Sequence, residues 1–317
     1  MTKTILVTGC AGFIGSSFTK QFSKKFPKTE IIGIDDFSTG RKDAVLPSIA
    51  FYKGSILDET VLNKIFSKHK PEYVFHFAAL PRVSYSVEHP RLTSEVNIVG
   101  TVALLEISKK HNVKRFIYSS SSAVYGLAKK IPTPESEPAN PLSPYAFQKY
   151  AGEKFCKMFS ELYNLDTVSL RYFNVFGPGQ YGDSPYSTVF AAWLEAIYFP
   201  EIKKGFIEGD GKQAKDICFI DNVVDANILA MKHKKKLNGE IFNIANSNPI
   251  SINEIWRMLE KFTEKKLELE QRPPRKGDVR FTHSDISKAK RIFGYTPKIK
   301  FEEGLIKTID WFKKRSA

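Results

Sequence analysis

The sequence predicts an α/β fold, a doubly wound parallel sheet with helices on both faces, followed by a smaller C-terminal α/β region. Two observations predict the sheet. Strand-like and helix-like stretches alternate through the first half of the 317-residue chain. The strand-like stretches are continuous apolar runs, as strands buried on both faces require. The smaller region is predicted by a third observation. After residue 174 the alternation gives way to "FGPGQYGDSPYS" and then to short strands mixed with helices.

In chain order, the predicted strands are "TILVTG" (4–9), "IIGID" (31–35), "AFYKG" (50–54), "YVFHFAA" (73–79), "KRFIYSS" (114–120) and "TVSLRYF" (167–173). Helical periodicity fills 13–26, 59–69, 94–111 and 144–163 between them. Ser143 is the N-cap of the last of these helices, and Pro144 suits its first position. Further helices are predicted near 186–199, 221–236, 251–264, 284–293 and 302–316. The loop "IPTPESEPANPLSP" (131–144) and the one after 174 are long enough to suggest function or motion. The division that follows is residues 1–174, with roughly 218–247 returning, and a smaller region over 175–317.

Composition excludes several classes. "VFAAWLEAIYF" (189–199) contains Glu195 and is too short to span a bilayer. The chain opens directly on a strand, with no leader pattern. Cys10, Cys156 and Cys218 lack CxxC spacing, and the six histidines lack ligand spacing. A reduced, cytoplasmic chain without a metal is therefore expected. The net charge of +14 is open to two readings, a nucleic-acid binder or a lysine-rich surface. The lysines are dispersed except in "KHKKK" (232–236), where they suit a helix end. No basic patch with interleaved aromatics accompanies them, so no nucleic-acid partner is expected.

"VTGCAGFIGS" puts Gly9, Gly12 and Gly15 between the first strand and the first helix. Such glycines let the backbone turn and approach a pyrophosphate at a helix N-terminus, the Rossmann arrangement, although a tight turn alone also explains them. Asp35 ends the second strand 20 residues after Gly15, where a carboxylate meets an adenosine ribose. Asp36 would repel a 2′-phosphate, so NAD is favoured over NADP, with Arg41 and Lys42 acting against this preference.

"SPYAFQKYAGEKF" (143–155) sets Tyr145 and Lys149 on one helical face. A phenol with a pKa of about 10 is a poor base at neutral pH unless a cation lies near it. "YSSSSAVYG" (118–126) runs off a central strand toward the crevice where such sheets bind ligands, and its hydroxyls suit a proton relay.

With these three motifs in this order, the chain resembles the extended short-chain dehydrogenases/reductases, in the nucleotide-sugar epimerase/dehydratase branch. The resemblance extends through "HFAAL" (76–80), "RYFNVFGPGQ" (171–180), "GDGKQAKDICFIDNVVDA" (209–226) and "PPRKGDVRFTHSDISKAKRIFGYTP" (273–297). It implies Ser121, Tyr145 and Lys149 as the catalytic serine, tyrosine and lysine, with Ser122 as a second hydroxyl. It implies Phe77, Ala78 and Ala79 along the NAD pyrophosphate and ribose, and Asn97 near the cofactor. Tyr172 and Phe173 would flank the nicotinamide. Phe13, Ile14, Gly40, Ile56 and Ser119 complete the implied cofactor set. On the substrate side it implies Asn174 and Arg275 at the diphosphate, Phe206 near the uracil and Asp278 at the uridine ribose. Ser84 and Val189 are implied as further substrate contacts. A homodimer joined through 94–111 and 144–163 is implied as well.

Two positions depart from the family pattern. Ser55 stands where an aspartate usually contacts adenine, and Lys215 replaces an arginine, losing the bidentate fork. After Ser121 come Ser122 and Ala123, without the acid pair of dehydratases or the glutamate of UDP-glucuronate decarboxylases. The resemblance therefore implies NAD-dependent 4-epimerisation of UDP-hexoses through a 4-keto intermediate. The small Thr282 at the sugar-pocket wall extends this to N-acetylated sugars, unless Thr282 is simply a strand residue. The alternatives are UDP-glucuronate epimerase or decarboxylase activity, or an idle NAD-binding protein.

Overall fold

Ile5, Leu6 and Val7 are fully buried, so the first strand has no solvent face and belongs inside a covered sheet. The structure is a computed structural model that describes residues 3–182, 188–201, 205–273 and 279–316. Its first half runs β1 (Thr4–Thr8), α1 (Phe13–Lys25), β2 (Glu30–Asp35), β3 (Ala50–Lys53), α2 (Glu59–His69) and β4 (Tyr73–His76). It continues through α3 (Val83–Glu88), α4 (Pro90–Ser94), α5 (Gly100–Lys110), β5 (Arg115–Ser121), α6 (Pro144–Tyr163) and β6 (Thr167–Tyr172).

The second half begins with β7 (Val175–Phe176), α7 (Val189–Tyr198), β8 (Gly205–Glu208), β9 (Ala214–Asp216), β10 (Cys218–Phe219) and α8 (Ile220–Lys232). It ends with β11 (Glu240–Ile244), β12 (Pro249–Ser251), α9 (Ile252–Thr263), β13 (Leu269–Arg272), α10 (Ser287–Phe293) and α11 (Phe301–Ser316).

Seven strands form one sheet in the order β11-β6-β5-β4-β1-β2-β3. All its pairings are parallel, with Ile5 opposite both Ile31 and Tyr73 at the centre. The six expected strands are all in it. β11 is the seventh, aligned with β6 from Glu240↔Val168 to Ile244↔Tyr172. The remaining strands form three two-stranded pairs, β10–β7, β12–β9 and β13–β8.

Two predicted helices differ from expectation for local reasons. The stretch 94–111 is split by a π turn at Glu95–Val99. There Asn97 turns inward, exchanging hydrogen bonds with the Leu80 N–H (2.8 Å) and C=O (3.1 Å) and donating to Gln148 Oε1 (2.7 Å). An extra residue in the turn aims a side chain that a regular helix would not. The helix expected over 221–236 stops at Lys232. Buried Arg115 donates to the carbonyls of His233 (2.8 Å) and Lys235 (2.6 Å) and to that of Ala230, closing the helix end from outside.

Candidate active site

The phosphate loop is dictated by close approach. Gly9 has φ +68°, and a Cβ there would lie 2.7 Å from the Ala78 nitrogen. A Cβ on Gly15 would stand 2.1 Å from the Gly9 carbonyl oxygen. Only glycine permits this packing of strand, turn and helix. Gly12 is the N-cap of α1 and offers no side-chain cap, so the first-turn N–H groups around Phe13 and Ile14 point toward whatever anion the loop cradles.

Asp35 is buried, accepting the Ala11 N–H at 2.9 Å and the Phe37 N–H at 2.8 Å. Burial raises its pKa, and these two hydrogen bonds oppose the rise. Gly40 fits beside it because a Cβ there would meet Asp35 Oδ1 at 2.8 Å. Asp36 is exposed and accepts the Ser38 N–H at 2.8 Å. Arg41 is held by Asp43 at 3.3 Å and stacks 4.0 Å above the Tyr181 ring. The two carboxylates therefore dominate the end of β2 beside the glycine loop. This chemistry fits NAD, because a 2′-phosphate would meet two negative charges.

Burial lowers the His76 pKa to about 3, so the ring is neutral. Its partners fix the tautomer. Ala78 N–H donates to Thr8 Oγ1 at 3.2 Å, leaving the Thr8 hydroxyl to donate to His76 Nδ1 at 2.8 Å. On the other side Nε2–H reaches Thr101 Oγ1 at 2.9 Å, which donates onward to the Asn97 carbonyl at 2.8 Å. This chain ties the segment Phe77, Ala78 and Ala79 to both β1 and the π turn. Ser55 Oγ accepts the Leu57 N–H at 3.2 Å, so its hydroxyl braces the turn that carries buried Ile56.

At the opposite end of the crevice the Tyr145 N–H donates to Ser86 Oγ on α3 at 3.0 Å, and Ser143 caps α6 through the Ala146 N–H at 3.2 Å. The half-buried phenol is near enough to Ser121 for that hydroxyl to act on its pKa. Burial raises its pKa, while Ser121 and the Arg82 guanidinium act to lower it. Lys149 is 4% exposed and donates to the Ser119 carbonyl at 2.7 Å, with Nζ 6.0 Å from the Tyr145 ring centre. Burial lowers its pKa to about 8, with Cys156 and Glu153 opposing. The sequence suggested Lys149 as the neighbouring cation of the phenol. In the structure the amine lies beside the phenol's ring and gives one proton to the Ser119 carbonyl, because a buried ammonium must have an acceptor.

The serine run divides. Strand alternation sends Ser120 to the α6 face, where it donates to Glu153 at 2.5 Å beside the buried Arg171–Glu153 pair at 2.6 Å. Ser119 Oγ meets the Tyr172 hydroxyl at 3.2 Å, and Ser122 begins a 3₁₀ turn. Only Ser121 is placed against the phenol. Tyr172 and Phe173 are buried at 6% and 2% exposure, Tyr172 also bonding Asn227 at 3.1 Å. Sequence reasoning missed Arg82, Ser86, Gln148 and Glu153. Of these only Glu153 carried a signal, one helical turn beyond Lys149.

On the substrate side Asn174 and Thr282 come together. Asn174, at φ +33°, donates to the Asp216 carbonyl at 2.8 Å and to Thr282 Oγ1 at 3.5 Å. Thr282 Oγ1 also accepts the Asp216 N–H at 3.0 Å. Lys215 donates to the Val279 carbonyl. Phe206 lies under the Arg272 guanidinium at 4.0 Å. Val189 opens α7, and Ser84 lies on α3 near Arg82. Arg275 and Asp278 lie outside the described residues.

The sequence model of the NAD dependent epimerase/dehydratase family matches residues 5–245. A putative UDP-glucose 4-epimerase of Methanocaldococcus jannaschii is 33% identical over 315 residues, covering 98% of this chain and 99% of that one. The UDP-glucose 4-epimerase structure from Thermotoga maritima with UDP-glucose superposes with TM-score 0.93 at 39% identity, covering 99% of this chain and all of the other. A UDP-N-acetylglucosamine 4-epimerase structure from Methanobrevibacter ruminantium, in complex with UDP-N-acetylmuramic acid, gives TM-score 0.91 at 34% identity over 99% of each chain. The glycine loop, the Ser121/Tyr145/Lys149 cluster and these matches agree, and the chain belongs to the NAD dependent epimerase/dehydratase family.

Proposed function

We infer that the chain is an NAD-dependent 4-epimerase of UDP-hexoses, acting on UDP-glucose and UDP-galactose and on their N-acetylated counterparts. The observation that carries this reading is the cluster at the carboxyl end of β5. Ser121 acts on the Tyr145 phenol, Lys149 lies one helical turn on with Nζ 6.0 Å from the ring centre, and Ser122 and Ala123 follow where a dehydratase would carry acids.

When bound, NAD supplies the hydride acceptor and donor. Tyr145 takes the proton of the sugar 4-hydroxyl, directly or through Ser121, and later returns it. Lys149 holds the nicotinamide ribose. Asn174, Phe206 and Lys215, together with Arg275 and Asp278, hold the UDP moiety while the sugar turns about its bond to the diphosphate, so both faces reach the same base. Thr282, small and already bonded to Asn174 and Asp216, leaves room for an N-acetyl group. In this reading residues 1–174 with 218–247 carry NAD, and 175–317 carry the UDP-sugar.

The working unit is a homodimer. α6 exposes Phe147, Met158 and Leu162 at 55%, 40% and 69%. Their 11- and 4-residue spacing keeps them on one side of the helix. Such a stripe suits pairing with its own copy. Among the described residues, no helix is long and apolar enough to cross a membrane, and Cys10, Cys156 and Cys218 are free and buried.

The test is incubation of purified protein with UDP-Glc, UDP-Gal, UDP-GlcNAc and UDP-GalNAc, with and without added NAD, followed by separation of products. Interconversion within both pairs is expected. Turnover of UDP-glucuronate alone would replace this reading with the uronate one, and no turnover of UDP-GlcNAc would remove the N-acetyl part.

A further inference from the structure

We propose that Arg41 and Tyr181 form a clasp across the glycine loop that slows release of the bound dinucleotide, with Tyr181 as the fixed post and Arg41 as the arm that opens. The family match establishes the cofactor, and the clasp acts whichever sugar is turned over.

The two residues reach the glycine loop from different halves of the sequence. The Arg41 N–H donates to the Ala11 carbonyl at 3.0 Å. A Cβ on the preceding Gly40 would lie 2.8 Å from the Ala11 Cβ. The segment after β2 thus rests on the loop at Ala11. The segment after β7 comes to it at Phe13, where a Cβ on Gly179 would meet Phe13 Cδ2 at 3.9 Å. Two residues on, the Tyr181 ring takes the Arg41 guanidinium at 4.0 Å. Contacts from Ala11 to Arg41, to Tyr181 and back through Gly179 to Phe13 therefore close a circuit around the anion-cradling turn.

The two ends are held unequally. Tyr181 is fastened from the C-terminal half. The next residue, Gly182, donates its N–H to Glu195 Oε2 at 3.3 Å, and a Cβ there would stand 2.0 Å from the Ala191 carbonyl oxygen of α7. The Gln180 side chain donates to the Val175 carbonyl at 3.1 Å and accepts the Thr188 hydroxyl at 3.1 Å. Arg315 of α11 pairs with buried Glu195 through two bonds, at 2.7 and 2.8 Å, and lies 4.7 Å over the same ring. Trp311 meets the ring edge-on at 5.2 Å. Arg41 instead stands in a largely exposed stretch, 36–43, and its charge partner Asp43 lies in the same stretch. That pair moves with the loop. The stack on Tyr181 ties the loop to the second half, and a cation on an aromatic face is weak enough to break and remake.

The test is NADH release from the full chain. Protein loaded with NADH is mixed with excess NAD, and the decay of bound-nucleotide fluorescence gives the rate. Tyr181→Ala, Arg41→Ala, the double variant and Tyr181→Phe are compared with the parent, and thermal melts confirm folding. Each alanine variant is expected to release NADH about tenfold faster. The double variant should be no faster than either one, and Tyr181→Phe, which keeps the ring, should stay close to the parent. Hydrogen exchange over residues 36–45 of the loaded protein is expected to quicken in Tyr181→Ala and not in Tyr181→Phe. An unchanged rate in Arg41→Ala overturns the proposal even if Tyr181→Ala is faster, because the ring would then act through its packing alone. So do effects that multiply in the double variant, a phenylalanine variant as fast as alanine, and faster release with exchange over 36–45 unchanged. A parent that loses NADH within the mixing time has no clasp to open, and overturns it as well. Release is read without any sugar, so the outcome is independent of the epimerase reading.

Discussion

In the proposed reaction Tyr145 concentrates the chemistry in one hydroxyl, and Ser121 and Arg82 act on its pKa from different elements. Tyr145→Phe keeps the ring and the Ser86 contact, which is made by the backbone. It should lower turnover by about 10²–10⁴-fold while leaving NAD content unchanged, measured by product separation and by cofactor release on denaturation. His76 gives a residue-scale prediction about stability. Burial takes its pKa from 6.5 to about 3 in the folded chain. Between these values the unfolded chain binds the extra proton, so stability is full above pH 6.5 and falls as pH drops toward 3. Denaturant titrations between pH 7 and 5 should show a slope up to about 1.4 kcal/mol per pH unit steeper in the parent than in His76→Asn. Equal slopes would mean that the ring is not held neutral. The sequence set Tyr145 and Lys149 on one helix face by their spacing, and Ser121 was named among the four serines only by the family resemblance. Ser86 escaped because its bond to the Tyr145 N–H depends on α3 meeting α6, and nothing local encodes that meeting.

At the scale of elements, α6 shows how packing overrides propensity. Gly152 lies inside a 20-residue helix, where alanine would ordinarily gain about 1 kcal/mol. A Cβ there would stand 2.2 Å from the Tyr118 hydroxyl oxygen and 2.4 Å from its ring. Gly152→Ala should therefore lower the Tm, at a cost of about 1–3 kcal/mol from overpacking, and should displace the helix that carries Tyr145. A raised Tm in a thermal melt would show that β5 and α6 are less tightly joined than the structure implies. The π turn is the same lesson in reverse. The periodicity of 94–111 suggested one continuous helix, but Asn97 is needed at Leu80 and Gln148. Those partners come from a loop and from α6, so the interruption was invisible in the local pattern.

For the whole molecule, one core cluster runs from Ile5 and Val7 through Trp193 and Phe219 to Leu305 and Phe312. The sheet and the C-terminal elements are thus packed as one body. Its outer face on α6 still exposes Met158 and Leu162. Sedimentation should find a dimer, and Met158→Glu with Leu162→Glu should yield a folded monomer. A parent that sediments as a monomer at micromolar concentration would remove the dimer from the proposal.

The sequence by itself determined the parallel sheet, the glycine turn, the carboxylate at its second strand and the Tyr145/Lys149 helix face. Each follows from a period or a spacing of a few residues, and backbone sterics enforce those wherever the segment lies. Tertiary structure decided which serine lies near the phenol, where Lys149 donates its proton, how Ser86 reaches the start of α6 and where β11 closes the sheet. These depend on contacts between segments far apart in the chain, and buried polar groups there must find partners that no local pattern specifies.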